Sequence, residues 1–281
     1  MAKILVTGAC GYLGQHVVNS ILYNCDYEVI AIDIKKGNIE HPRLTNLEMD
    51  FLSHAKDQSL FDKLGRPDVV IHLAWQDGFN HKSDKHLLNL NNHFEFLKNM
   101  INSGCKSISA MGTMHEIGYF EGAIKGDTPC NPLNLYGVAK NALRQAMMVF
   151  LQDKSDVSFK WLRAYYITGD DKRNNSIFAK ILQMAEEGKK SFPFTSGENK
   201  YDFLDVNLLA DQIVKASIQT QINGAINCCS GNPVSLKDKV EQFIKEKNLD
   251  IAPEYGVYPS RRYDSPAIWG DATLINKIMN S

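Results

Sequence analysis

A doubly wound α/β fold is what this sequence predicts, and three observations predict it. A short apolar strand, Ile4 to Thr7, feeds through Gly8, Gly11 and Gly14 into an amphipathic run carrying Val17, Val18, Ile21 and Leu22. Apolar strands then alternate with runs of helical spacing as far as Tyr165. Strands such as Asp68 to Ala74 are continuously apolar, as strands covered on both faces of a parallel sheet are.

Taken in order, Tyr27 to Asp33 is the second strand and Leu47 to Phe51 a short third, each ending near an acid. Leu60, Phe61 and Leu64 mark a helix that stops at Gly65 and Pro67, before the strand Asp68 to Ala74. Leu87, Leu90, Phe94, Leu97 and Ile101 give one long helix between Lys82 and Ser103. Lys106 to Met111 is the fifth strand. A helix from Pro132 or Leu135 to Gln152 follows, then the strand Phe159 to Tyr165. Beyond Gly169 the alternation fades into a polar loop, Asp170 to Asn175, a helix from Ile177 to Glu187 and an extended Phe192–Phe194 piece. Ala225 to Cys229 returns as a last strand of the sheet. Residues 1–169, with about 203–229, are expected to form a Rossmann-type dinucleotide-binding domain, and 170–202 with 230–281 a small interleaved C-terminal substrate-binding cap.

The chain has 281 residues, 44% hydrophobic and 22% charged, enough for one large α/β unit or two modest domains. A net charge of −1 gives no electrostatic case for nucleic acid or an anionic membrane. No apolar run reaches the roughly 20 residues of a membrane span. Cys10, Cys25, Cys105, Cys130, Cys228 and Cys229 make no CxxC pair and no zinc spacing, so free thiols in a reducing cytoplasm are expected. His115 stands beside Glu116, but no second His follows at the HExxH spacing, and no metal site is expected.

The glycines carry the chemistry. Gly8 allows a tight turn, Gly11 lets the backbone approach a pyrophosphate, and Gly14 lets the helix pack on the strand, while the helix N-terminus offers unpaired N–H groups to the anion. Asp33, roughly twenty residues beyond the last glycine, is placed to accept hydrogen bonds from an adenosine ribose and to repel a 2′-phosphate. NAD is therefore favoured, with NADP left open by Lys35 and Lys36. Further on, Tyr136 and Lys140 share one helical face at i, i+4. A nearby ammonium favours phenolate over phenol, and Thr113, just past the fifth strand, can hydrogen-bond the same substrate oxygen. With 11 tyrosines in the chain about one Tyr-x-x-x-Lys is expected by chance, so its place on this helix is what makes it informative.

Over essentially its whole length the chain resembles the extended short-chain dehydrogenase/reductase family of nucleotide-sugar epimerases, dehydratases and reductases. Its T-G-x-x-G-x-x-G falls on Thr7 to Gly14, its H-L-A-A on His72 to Trp75, and its Tyr-x-x-x-Lys on Tyr136 and Lys140. The resemblance implies catalysis by Tyr136, Lys140 and Thr113. It implies cofactor contacts from Gly8, Cys10, Gly11, Tyr12, Leu13, Gly14, Asp33, Ile34, Asp50, Phe51, Leu73, Ala74, Trp75 and Asn89, besides Tyr136 and Lys140. It implies a substrate site of Thr113, His115, Tyr166, Asn175, Phe192, Arg261 and Arg262, a homodimer built on the long helices, and a place in making capsule or lipopolysaccharide sugars.

Departures narrow the reaction. The dehydratases of the family carry Asp-Glu after the catalytic Thr, where this chain has Met114-His115, which disfavours water elimination. Tyr166 replaces a substrate Asn, and Tyr201 an Arg. Gly112 to Glu116 is similar to a segment of some 4-keto-sugar nucleotide reductases. The expectation is an NAD(P)-dependent reductase acting at C4 of a 4-keto-6-deoxy sugar nucleotide, with a 4-epimerase as the alternative. A non-catalytic dinucleotide sensor ranks last, because Thr113, Tyr136 and Lys140 are all present. His72 is expected to be a satisfied histidine near the cofactor, and Tyr165, Tyr166, Phe192 and Phe194 have packing as their alternative role.

Overall fold

The computed structural model describes residues 1–169, 176–259 and 265–281. In chain order its strands are β1 Lys3–Thr7, β2 Glu28–Asp33, β3 Leu44–Glu48, β4 Val69–His72, β5 Ser107–Thr113, β6 Gly122–Ile124, β7 Ser158–Ala164, β8 Tyr166–Thr168, β9 Ser191–Pro193, β10 Lys200–Asp205, β11 Gly224–Cys228, β12 Pro233–Ser235, β13 Ala252–Glu254 and β14 Ala267–Gly270. The helices are α1 Tyr12–Asn24, α2 Leu60–Lys63, α3 Lys85–Leu88, α4 Leu90–Asn102, α5 Leu135–Phe150, α6 Ile177–Glu186, α7 Val206–Ile218, α8 Leu236–Glu246 and α9 Thr273–Met279.

A parallel sheet in the order β11-β7-β5-β4-β1-β2-β3 is the frame. Alternate residues of its central strands feed two separate cores. Ile4, Val6, Val29 and Ala31 pack with Val17, Val18 and Ile21 of α1 and Leu209 and Ile213 of α7. Leu5, Ile30 and Ile32 pack with Phe96, Leu97 and Met100 of α4 and Leu143 and Met147 of α5. Both faces are apolar because both are covered, which is the doubly wound arrangement expected. The strand order reverses at β1, between β2 and β4, and the carboxyl ends of these strands open the crevice where such sheets bind ligands.

Two elements differ from expectation. The third strand is Leu44–Glu48 instead of Leu47–Phe51, and its register pairs Val29 with Leu44 and Asp33 with Glu48. An edge strand half-covered on each side carries a weak apolar pattern, and Asp50 and Phe51 fall in the turn after it. The long helix breaks at Asn89 into α3 and α4. The Asn89 carbonyl accepts the first bonds of α4 from Asn92 and His93, and its side chain donates to Gln76 Oε1 at 3.1 Å.

A second sheet, β12-β10-β14-β6 with β8 beside β10, joins segments far apart in the chain. Its β6 comes from within residues 1–169 and pairs with β14. The buried Asp202 carboxylate clasps it to the main sheet, accepting from the backbone N–H of Ser230, Gly231 and Gly270 and from the Ser230 hydroxyl. Among the described residues no helix is long and apolar enough to cross a membrane, and all six cysteines are free thiols.

One buried cation lies away from the crevice. Lys160 on β7 is fully buried, with Nζ donating to Ser107 Oγ at 2.9 Å and to the Ser217 carbonyl at 3.4 Å. Burial pulls its pKa from 10.5 to about 8. The unfolded chain therefore binds the extra proton between those two values, so stability rises with pH across that window. Lys160→Met is expected to raise stability by about 2 kcal/mol at neutral pH, a gain that disappears as the pH passes the unfolded value. Urea midpoints at neutral and strongly alkaline pH check it, and a lower midpoint for the variant at neutral pH would refute it.

Candidate active site

The crevice begins with the glycine turn. Gly8 takes φ +70°, a conformation L side chains avoid, and a Cβ there would lie 2.7 Å from the Ala74 Cα. This close approach sets β1 against the segment after β4. At the end of β2, Asp33 Oδ2 accepts from the Cys10 N–H at 3.0 Å. A cavity of about 430 Å³ follows, lined by Gly8, Gly11, Asp33, Ile34, Asp50, Phe51, Leu73, Ala74, Trp75 and Asn89, together with Leu52, Ser53, Gln76 and Asn92. Ten of the residues inferred for the cofactor thus share one cavity, while Cys10, Tyr12, Leu13 and Gly14 belong to the glycine turn and the first turn of α1. A carboxylate on the ribose side, a glycine turn and a helix N-terminus make a donor and acceptor set that fits a dinucleotide.

The residues inferred for proton transfer stand beside it. Thr113 ends β5 and caps a 3-10 turn, Met114–Glu116, accepting from the His115 N–H at 3.3 Å. The Asn134 side chain caps α5 by accepting from the Gly137 N–H at 2.8 Å. Gly137 packs so tightly on the 3-10 turn that a Cβ would lie 2.3 Å from the His115 carbonyl oxygen. That contact brings Tyr136, in the first turn of α5, beside Thr113, whose side chain acts on the phenol. Lys140, one turn on, donates from Nζ to the Met111 carbonyl at 2.6 Å and lies 3.8 Å from the centroid of the Trp75 ring and 5.8 Å from that of Tyr136.

The titration behaviour differs from expectation. Burial pushes the Tyr136 phenol up, the Glu116 charge adds to this, and the Thr113 bond opposes it. Burial also draws Lys140 down to about 7, with Glu116 opposing. In the protein alone desolvation outweighs the ammonium, and the Tyr136 phenol stays neutral.

Sequence reasoning missed the group that holds this arrangement together. Glu116 is fully buried and accepts from the Thr113 N–H at 2.8 Å, from Trp161 Nε1 at 2.8 and 2.9 Å, and from Arg163 Nε at 3.2 Å, with Arg144 Nε 3.8 Å away. Thr113-x-x-Glu116 is a capping-box spacing, a signal present in the sequence. A set of histidines was missed too. The His81 ring lies parallel to Tyr136 at 5.2 Å and 8°, His86 is 5.3 Å from Tyr136, and His93 stacks on Trp75 at 4.4 Å. Nothing in their spacing announces this, because the loop between β4 and α3 folds back onto α5.

The residues inferred for the substrate scatter more. His115 is half-buried, 4.4 Å from the His81 ring, and burial draws it down to about 4. Tyr166 packs at 4.4 Å on Tyr201 and 5.6 Å on Phe203. Phe192 is only 2% exposed, edge-on to Phe194 in the core, the packing alternative given for it. Asn175, Arg261 and Arg262 lie outside the described residues. His72 is buried and bonded to Thr7 and His93 as expected of a satisfied histidine. Among the described residues no group of three or more His, Cys, Asp or Glu side chains is set to hold a metal ion.

Comparison with known proteins places the chain among relatives. Residues 4–229 match the model of the NAD dependent epimerase/dehydratase family. The dTDP-6-deoxy-L-talose 4-dehydrogenase (NAD(+)) of Aggregatibacter actinomycetemcomitans is 47% identical over 271 residues, covering 95% of this chain and 99% of that protein. The UDP-glucose 4-epimerase of Erwinia amylovora is 26% identical over 99% of this chain and 92% of its own. In fold, the UDP-N-acetylglucosamine 4-epimerase of Methanobrevibacter ruminantium M1 superimposes with a TM-score of 0.83 at 20% identity, covering 99% of this chain and 91% of its own. With its glycine turn, its Asp33 cleft and its Thr113, Tyr136 and Lys140 side chains, the chain belongs to the NAD-dependent epimerase/dehydratase family.

Proposed function

We propose that this protein is an NAD-dependent oxidoreductase that interconverts a hydroxyl and a ketone at C4 of a 6-deoxyhexose linked to a thymidine diphosphate. The observation that carries it is the placing of Thr113, Tyr136 and Lys140 side by side, with the Lys140 ammonium against the Trp75 ring that lines the Asp33 cleft. The 47% identity to a 4-dehydrogenase of such a sugar supports the choice of substrate.

The Gly8–Gly14 turn and Asp33 would hold NAD, which when bound would supply the hydride acceptor or donor. Tyr136 handles the proton: in reduction its hydroxyl gives a proton to O4 as C4 gains hydride, and in oxidation its phenolate takes that proton back. Thr113, beside the Tyr136 phenol, orients O4. Lys140 places a positive charge near the phenol when it is protonated. Asp33 opposes a 2′-phosphate and so selects NAD over NADP. Arg261, Arg262 and Asn175 belong to this proposal as contacts to the sugar nucleotide. The division into residues 1–169 with 203–229 for the cofactor and 170–202 with 230–281 for the substrate belongs to it as well.

The test is absorbance at 340 nm with a thymidine-diphosphate 4-keto-6-deoxyhexose and NADH. Loss of NADH over many turnovers is expected. Bound cofactor with no net consumption, and a new sugar isomer by NMR, would overturn it in favour of a 4-epimerase. The free cysteines accord with a reducing cytoplasm, the compartment this reading assigns. A homodimer through α4 and α5 is also part of the reading, supported by the exposed Val138, Met148 and Val149 of α5. Sedimentation as a monomer at micromolar concentration would refute the dimer.

A further inference from the structure

Lys140 is a buried cation with an unusual neighbour. Its hydrogen bond goes to a backbone carbonyl, that of Met111, and the carboxylate nearest in influence, Glu116, is already bonded to Trp161, Arg163 and the Thr113 N–H. What faces the ammonium is the indole of Trp75, with Nζ 3.8 Å from the ring centroid. Trp75 stands where the family that this chain resembles has the last small residue of its H-L-A-A.

The indole is held in place from two sides. Its N–H donates to His86 Nδ1 at 3.0 Å, and His86 Nε2 lies 2.9 Å from the Asn80 carbonyl. An indole N–H only donates and a carbonyl only accepts, so His86 is the neutral tautomer protonated on Nε2, with both nitrogens used. The ring plane stacks on His93 at 4.4 Å and 15°, and His93 is tied through His72 to Thr7 by bonds of 2.9 Å. The titratable groups around Lys140 are Tyr136 on its own helix, Glu116 on the 3-10 turn, His72 at the end of β4 and His93 on α4. Burial keeps His72 well below the usual histidine range and draws His93 to about 3, so neither adds a competing charge at neutral pH.

We infer that Trp75 is a positioning residue for the catalytic lysine: its fixed aromatic face holds the Lys140 ammonium in charged form beside Tyr136, a task that water or a carboxylate would otherwise perform. A buried cation–π contact changes the deprotonation equilibrium of the lysine by about three- to thirty-fold. The indole lines the dinucleotide cavity as well, so it couples the cofactor wall to the proton-handling group. The kinetic part of this inference rests on the function proposed above, and the chemical part does not.

The test uses Trp75→Leu, which removes the face and keeps the pocket apolar, and Trp75→Phe, which keeps a face and loses the bond to His86. The Lys140 Cε and Nζ chemical shifts, followed as a function of pH by NMR of the full chain labelled with 13C,15N-lysine and assigned with Lys140→Arg, read its protonation without turnover. In Trp75→Leu the midpoint is expected to move to lower pH, making deprotonation about three- to thirty-fold easier. Trp75→Phe is expected to stay within about threefold of the parent, since benzene also presents a negative face. The limb of the kcat–pH profile assigned to Lys140 should move with the NMR midpoint. An unchanged midpoint in Trp75→Leu, with only KM for NAD raised, would make Trp75 a cleft wall and overturn the inference. A midpoint displaced to higher pH would overturn it equally, because solvent entry would then outweigh the lost face. Trp75→Met carries the same expectation should the Leu variant fail to fold. An NMR midpoint displaced to lower pH in a protein with no C4 turnover supports the inference and removes the proposed reaction instead.

Discussion

Tyr136→Phe is expected to lose about 10³-fold in kcat/KM while binding NAD as tightly as the parent chain. The substitution deletes one oxygen from a ring whose surroundings are otherwise kept. The stacking of His81 at 5.2 Å and the helix start capped by Asn134 need the ring and the backbone, not the hydroxyl. The cavity lined by Gly8, Asp33 and Asp50 is likewise untouched. What disappears is the hydroxyl proposed to give its proton to O4, beside Thr113. Burial keeps the phenol neutral in the protein alone, so reduction starts from the correct protonation state, whereas oxidation needs the phenolate and should gain as pH rises. Steady-state kinetics in both directions, with NAD affinity from fluorescence quenching, separate the two effects. A loss of less than tenfold would sink the role given to Tyr136.

The parts of the site that were legible are those made by neighbours in the chain. Ile4 to Gly14 encodes a strand, a turn and a helix start within a dozen residues, and Asp33 ends a strand whose apolar run is unbroken. Tyr136 and Lys140 are one helical turn apart, so their shared face follows from geometry alone. The inversion of the Tyr136 shift was not legible, because desolvation depends on how many distant segments close over the ring. Nor was the break at Asn89, where the apolar spacing runs on through Leu87 and Leu90 while the hydrogen bonds change course. Phe192 was placed in the substrate site by resemblance, with packing as its alternative. Its burial is decided by Phe194 and the rest of the core, which no local window contains.

Glu116 shows how a local signal and a long-range one combine, and its removal should be the most damaging change to stability near the site. Glu116→Ala is expected to cost about 3–5 kcal/mol, because breaking a buried ion pair leaves the surviving charge without a partner. Arg163 is fully buried, and its remaining contacts are the carbonyls of Lys125 and Gly126 and the Cys130 sulfur, none of which carries the charge that balances a guanidinium. The Trp161 indole and the Thr113 N–H would lose their acceptor in the same step. Thr113 would also lose half of its capping box, loosening the turn that fixes its hydroxyl against Tyr136. Glu116→Gln should be milder in fold, since an amide oxygen still accepts from Thr113 or Trp161, yet it removes a charge that acts on both Tyr136 and Lys140. Urea denaturation of both variants separates these terms: the Ala variant should lose most of its midpoint, and the Gln variant less. An Ala variant with the parent's midpoint would show that the two arginines are solvated without Glu116, and the capping box would then be an accessory of the turn, no longer its anchor.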